Sequence, residues 1–328
     1  MKRRGLFWPL AALLLPVAGL AAAAQTELKL AAGSMAASSP VGIAVGELAK
    51  RINRYAKGAI RAKPFYEVQL ADASGMVEAL RGGLVDIGVA GNSYFSSLVP
   101  ELQAFELPYL FANYLEARKV LDGPAADPVK RKLEENGIKC LAFWEIGFRH
   151  LTNNVRPVNS LADVKGLKLR VLPADIQMEA WKSFGAVPVA LDSSLLHAAL
   201  RAGEIEGQEN PINEIQSKKL YEVQKYLSLT AHVYTPMILG IALRVWGKLN
   251  RTGRETILKA VGEATGLFRQ VNDRLERENM DWLRRTKMEI NEYPDLALFK
   301  KMAEKIHESF IEGKAERKVL LDAIKAAK

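Results

Sequence analysis

The chain has 328 residues and a formal charge of +9, from 46 Lys and Arg against 37 Asp and Glu, with one cysteine. That length exceeds what a single core usually supports, so two lobes are expected, and one cysteine excludes an intramolecular disulfide. No basic run interleaves with aromatic residues, so nucleic-acid binding has no footing, whereas a modest positive field suits small anions.

Met1-Lys2-Arg3-Arg4 is a basic start, Leu6 to Leu20 is apolar but for Pro9, Pro16 and Gly19, and Ala21 to Ala24 supplies small residues. This is the pattern of a secretory signal peptide over residues 1–24, and it predicts export to the periplasm. The apolar run is too short for a membrane span, which takes roughly 20 residues, and no later segment is apolar enough. Losing Lys2, Arg3 and Arg4 changes the charge from +9 to +6.

A strand over Leu28–Ala32 and a Ser/Ala-rich loop to Pro40 come next. Val41, Val45, Leu48 and Ile52 then recur at helical spacing over 41–55. A strand at Ile60–Tyr66, a short helix at Met76–Gly82 and a strand at Val85–Ala90 complete a β/α alternation, which points to a largely parallel sheet. In such sheets ligands bind beyond the carboxyl ends of the strands. A helix over Tyr114–Asn136, interrupted near Pro124 to Pro128, leads to a strand holding Cys140, where a small hydrophobe fits better than a nucleophile.

The pattern then starts afresh. Strands are expected at Arg149–Asn153, Leu167–Leu172 and Val187–Leu191, and helices at Ile176–Phe184 and Leu195–Ala202, the second capped by Ser193 or Ser194. Met237–Val245 returns to the first lobe. Ile257, Val261, Ala264, Phe268, Val271 and Leu275 predict one long helix over Arg254–Lys287, about 50 Å at 1.5 Å per residue, with a kink expected at Gly262 or Gly266. The lobes are therefore drawn as 25–147 plus about 235–275, and 148–234 plus about 276–328.

The four histidines are far apart and lack metal-ligand spacing, no Gly-x-Ser-x-Gly elbow occurs, and Arg81-Gly82-Gly83 follows a helix where a phosphate cradle would open one. No cofactor is expected. Arg170, in Leu167-Lys168-Leu169-Arg170-Val171-Leu172, puts a guanidinium into an apolar strand. Such a charge requires an anion to meet it. Arg149 and Asn210 fall at neighbouring strand ends, and two guanidinium forks with an amide form a grip for a carboxylate.

Several stretches, in order, resemble the solute receptors of tripartite ATP-independent periplasmic (TRAP) transporters, the DctP family. They are Gln69-Leu70 with Leu80, Gly83 and Asp86, then 105–111 (FELPYLF), 147–153 (GFRHLTN), 160–171 (SLADVKGLKLRV), 207–211 (GQENP) and 221–226 (YEVQKY). The resemblance implies a type II periplasmic-binding-protein fold: two α/β lobes, a ligand cleft and a long C-terminal bridging helix. It implies that Arg170 pairs with the carboxylate of a small organic acid, that Arg149 and Asn210 assist, and that a membrane permease is the partner.

Asn92, in the stretch where sugar-acid receptors often place an acidic residue, and the aromatic Trp144, Phe148 and Tyr234 are further candidates to line the cleft. The family's Phe-Ser-Glu-Val-Tyr is Ser193-Ser194-Leu195-Leu196-His197 here, and Phe65-Tyr66 stands where Tyr-Pro is common. These departures argue against a polyhydroxylated sugar acid and for a compact or apolar remainder, as in an oxo, hydroxy, aromatic or short dicarboxylic acid. Two other readings stay open at this point: a receptor for an ATP-driven importer, and a periplasmic enzyme acting on a small carboxylate.

Overall fold

The computed structural model describes residues 25–328; the signal peptide expected over residues 1–24 lies outside them. Strand β1 (Thr26–Ala31), helix α1 (Pro40–Ala56), β2 (Ile60–Phe65), α2 (Met76–Gly82), β3 (Ile87–Gly91) and the one-turn α3 (Asn92–Phe95) alternate as expected. Ser39 begins α1 by accepting a hydrogen bond from Gly42 N at 3.1 Å, with Pro40 in the first turn where no amide is missed. Its buried face carries Val41, Val45, Leu48 and Ile52. Gly83, at φ +91°, closes α2 in the left-handed conformation open to glycine.

The predicted interruption of the next helix is a clean split into α4 (Tyr114–Asp122) and α5 (Asp127–Glu135), with a 3-10 turn at Pro124–Ala126. After these come β4 (Ile138–Asn153), β5 (Lys168–Val171), α6 (Asp175–Ser183), β6 (Val187–Ala190), α7 (Leu196–Ala202), β7 (Gly207–Asn210), α8 (Ile212–Ser217), β8 (Tyr226–Ala242) and α9 (Leu243–Lys248). Helix α10 (Arg251–Leu283), the short β9 (Glu289–Asn291), α11 (Ala297–Ile311) and α12 (Ala315–Ala327) complete the chain.

The strands hydrogen-bond in the order β2-β1-β3-β8-β4-β7-β5-β6, with β9 on β8. Pairs β1/β2, β1/β3, β5/β6 and β5/β7 are parallel; β4 and β8 run antiparallel to each other and to their outer neighbours. The separate strands expected around Cys140 and at Arg149–Asn153 are thus one strand of 16 residues, and Met237–Ala242 is the end of a strand of 17. Both cross from one lobe to the other. The β4–β8 register slips between Cys140 and Ala142, Glu145 and Gly147, and Arg149 and Leu151, so the ladder bends repeatedly where the lobes meet. Gly147 sits at φ +125°, and a Cβ there would fall 2.5 Å from Tyr114 Oη.

One apolar core gathers Leu28, Val45, Leu48, Ile87 and Val89 with Leu239, Ile241, Ile257, Val261 and Phe268; a smaller one joins Leu196, Leu200, Ile215 and Leu220 to Met280 and Leu283. Helix α10 therefore packs into both lobes. It has 33 residues and runs unbroken through Gly262 and Gly266. Two expectations are corrected. No side-chain cap starts α7, because Ser194 turns back to Asp192 Oδ1. And α12 packs on α4 and the 3-10 segments around 100–106 and 124–126 of the first lobe, although the sequence reading put everything beyond 276 in the second; α11 does lie on α6.

Candidate functional site

A small cavity opens where the strands of both lobes end. Ser34 reaches it just past β1, Gly91 and Tyr94 from the end of β3 and from α3, Leu172 past β5, Ser193 past β6, and Asn210 from the end of β7. Arg149 and Ile146 enter from β4, Met237 from β8, and Glu214 from α8. This is the carboxyl-end placement that the alternating pattern predicts. Most of the wall is apolar. A Cβ at Gly91 would come within 3.3 Å of Ile146 Cδ1, and Leu195 of the departing Ser193–His197 stretch is 54% exposed.

Arg170 has no accessible surface. Its Nε donates to Leu191 O at 2.8 Å, while Nη1 and Nη2 have no hydrogen-bond partner among the described residues. Burial drives its pKa below the ordinary value, and Arg149 pushes the same way. Arg170 is not among the residues that line the cavity. Tyr94, which lines it from α3, lies within electrostatic range of Arg170; burial raises its pKa to about 12, which keeps the hydroxyl protonated, and its oxygen has no partner among the described residues.

Arg149 is as deeply buried but already has company. Its Nε and Nη2 fork onto the Glu209 carboxylate, and Nη2 also donates to the Glu209 carbonyl and, at 3.0 Å, to Asn210 Oδ1; Nη1 remains unpartnered. The carboxylate is further met by His232 Nε2 at 3.1 Å. Burial would raise the Glu209 pKa, but Arg149 and His232 outweigh it and hold the group at about 2. Glu209, which stands in the Gly207–Pro211 stretch beside Asn210 and was not among the candidates, is thus the carboxylate that meets Arg149 and His232. Its Arg149 contact follows from the pairing of β7 with β4, which sets Leu151 opposite Glu209 and His150 opposite Asn210.

The remaining candidates do not join this group. Asn92 donates to Leu102 O (2.9 Å) and Glu106 Oε2 (3.0 Å), fixing a buried carboxyl whose pKa burial raises. Trp144 stacks on Phe268 of α10 at 4.9 Å and donates to Thr265 Oγ1. Phe148 and Tyr234 pack edge-on at 5.3 Å with Tyr114 beside them, and the Tyr234 hydroxyl donates to Glu145. These aromatic side chains fill the joint behind the cavity. Among the described residues no group of three or more His, Cys, Asp or Glu is arranged to hold a metal ion.

Two α/β lobes joined by two long strands and a bridging helix, with arginines buried in strands β4 and β5, define the class of two-lobed solute receptors. The chain belongs to the family described as bacterial extracellular solute-binding protein, family 7 (DctP), whose profile matches residues 31–314. It is 34% identical, over 71% of each chain, to the 2,3-diketo-L-gulonate-binding periplasmic protein YiaO of Escherichia coli. Among solved structures it is similar to a TRAP periplasmic solute-binding protein from Bordetella bronchispeptica with density assigned as pantoate (33% identity, TM-score 0.87, 93% and 100% of the two chains). It is likewise similar to one from Polaromonas bound to D-erythronate (30% identity, TM-score 0.88, 93% and 99%).

Proposed function

We propose that this chain is the periplasmic receptor of a TRAP secondary transporter, exported through residues 1–24, that encloses a small organic carboxylate between its lobes and hands it to a membrane permease. The observation that carries this is Arg170: a guanidinium with no exposed surface and two terminal nitrogens without a partner among the described residues, in strand β5, just past which Leu172 lines the cavity. In apolar surroundings a charge with free donors is stable only opposite an anion that accepts from them. A carboxylate matches the fork with two oxygens, and the spare Nη1 of Arg149 can serve the same group.

Asn210 and Glu209 are positioning groups on this reading: one accepts from Arg149 and the other neutralises it, so that Arg170 keeps the net positive charge of the site. The apolar wall around the far end favours a compact remainder. Binding and lobe closure are the whole of the work, with no bond made or broken. The acids named for the relatives, a diketogulonate, a pantoate and an erythronate, all carry the carboxylate that this grip requires.

Titration calorimetry against a panel of small acids tests the reading. Arg170→Ala should weaken binding by about 2–5 kcal/mol, a factor of roughly 30 to several thousand. Arg170→Lys should lose much of the same, since an ammonium cannot reproduce the fork. A folded Arg170→Ala variant with wild-type affinity for the acid that binds would end the assignment.

A further inference from the structure

Among the described residues that line the cavity, Glu214 alone carries a negative charge. It stands in the first turn of α8, four residues past Asn210, and is 7% exposed. Its backbone amide bonds Pro211 O at 3.0 Å, and the side chain caps nothing. The carboxylate meets Lys218 Nζ at 3.5 Å, outside ordinary hydrogen-bonding range, and accepts no hydrogen bond from another described residue. A largely buried side chain whose carboxylate accepts no hydrogen bond from a described residue therefore lines the same space as Arg149.

Resting on the function proposed above, we infer that Glu214 is a specificity residue: it accepts a hydrogen bond from a hydroxyl on the carbon chain of a monocarboxylate and excludes acids with a second carboxylate. The argument has three parts. An acceptor in a mostly apolar wall gains only from a ligand donor, because an apolar group placed against it would strip its water without replacement. Lys218 already offsets part of its charge, so a neutral hydroxyl suffices and a ligand ammonium is not required. A second carboxylate, by contrast, would lie among apolar walls beside a like charge, which such surroundings penalise strongly.

The apolar neighbours Ile146, Leu172 and Met237 restrict the hydroxyl count, so the ligand class is a hydroxy monocarboxylate with an otherwise compact body. This narrows the range that the sequence allowed, which included short dicarboxylic acids.

Calorimetric titration with pantoate, its dehydroxy counterpart 3,3-dimethylbutanoate, the ammonium-bearing 2-amino-3,3-dimethylbutanoate, D-erythronate and succinate tests the inference. The wild type should take a hydroxy acid about 10- to 100-fold more tightly than the dehydroxy acid, and should reject succinate. Glu214→Ala should erase about tenfold of the hydroxyl preference, and Glu214→Gln, which keeps the shape and an acceptor, should raise succinate affinity by about tenfold; melting curves establish that both fold. Three results overturn it: unchanged preferences in both variants, succinate binding best to the wild type, or the amino acid binding best.

Arg170→Ala separates the two levels. If it loses all the acids while the Glu214 variants keep wild-type preferences, only the role of Glu214 fails. If it binds them as the wild type does, the receptor reading falls and this inference with it; if the wild type binds other acids but no hydroxy acid, only the role of Glu214 fails.

Discussion

At position 209 a carboxylate has exchanged water for one arginine fork and one histidine. Removing it should cost more than removing a surface ion, because Arg149 would be left charged with no exposed surface. Glu209→Ala is expected to lower stability by about 3–5 kcal/mol, read as a fall in the urea midpoint. Its pH signature has a definite sign. A carboxyl held at about 2 contributes fully above its ordinary value of 4.5 and loses that contribution as pH falls toward 2. His150, which burial keeps near 3 and which accepts from Ala231 N through Nδ1, contributes fully above 6.5 and loses its share as pH falls toward 3. The first acid weakening, between pH 6.5 and 4.5, should therefore belong to His150 together with His232 and His307, both of which burial also lowers. Urea titrations across that range should be flatter for His150→Gln than for the wild type; equal slopes would remove the assignment.

Helix α10 is the element on which geometry and propensity disagree. Gly262 and Gly266 face solvent, with nothing within 4 Å of a built Cβ, and the helix passes through both. Each Gly→Ala change should add roughly 0.5–1 kcal/mol by reducing the freedom of the unfolded chain, measurable as a higher Tm with unchanged ligand affinity. The same helix carries Glu276, which receives the Tyr114 hydroxyl. Burial, reinforced by Glu145 and Asp273, raises its pKa to about 7. A raised carboxyl stabilises below its ordinary 4.5 and loses that contribution as pH rises through 7, so Glu276→Gln should help more at pH 8 than at pH 4. Chemical denaturation at the two values is the check.

Legibility divides along similar lines. The α1 face was readable because every third or fourth residue is apolar, and Arg170 because a charge among Leu167, Leu169, Val171 and Leu172 has no solvent side. Trp144, Phe148 and Tyr234 were not: β4 and β8 are buried on both faces near the joint, so no polar alternation marks which side meets the cavity. The partnership of Arg149 with Glu209 depends on how β4 and β7 pair, a relation between segments 60 residues apart. The kink predicted at the glycines failed because packing of Ile257, Val261, Ala264 and Phe268 outweighs the cost of two exposed glycines.

For the whole molecule, the joint is the feature to test. Arg118 of α4 bonds both Glu145 of β4 and Asp273 of α10, and Tyr114 beside it contacts Phe148 N and Glu276, so the first lobe grips the crossing strand and the bridging helix together. Closure should then be a rotation about residues near 145–149 and 233–236, where the ladder slips. Small-angle scattering should give a smaller radius of gyration at saturating ligand. Gly147→Ala, which would force a Cβ onto Tyr114 Oη, should destabilise the protein by about 1–3 kcal/mol. An unchanged radius together with an open free form would count against the rotation.

The crossings by β4, β8 and α10 also set an order of events during folding. The core around Leu28, Leu48 and Val89 is completed by Leu239, Ile257, Val261 and Phe268, at least 150 residues later along the chain (89 to 239). Until that late segment arrives, the first three strands present an apolar face and an unpaired edge at β3, since among the described residues β3 pairs beyond β1 with β8 alone. Closing so long a loop is slow compared with forming local pairs. Nascent chains cut short of residue 237 should accordingly remain protease-sensitive over β1, α1 and β2, and protection should appear there only once the helix at 251–283 is present.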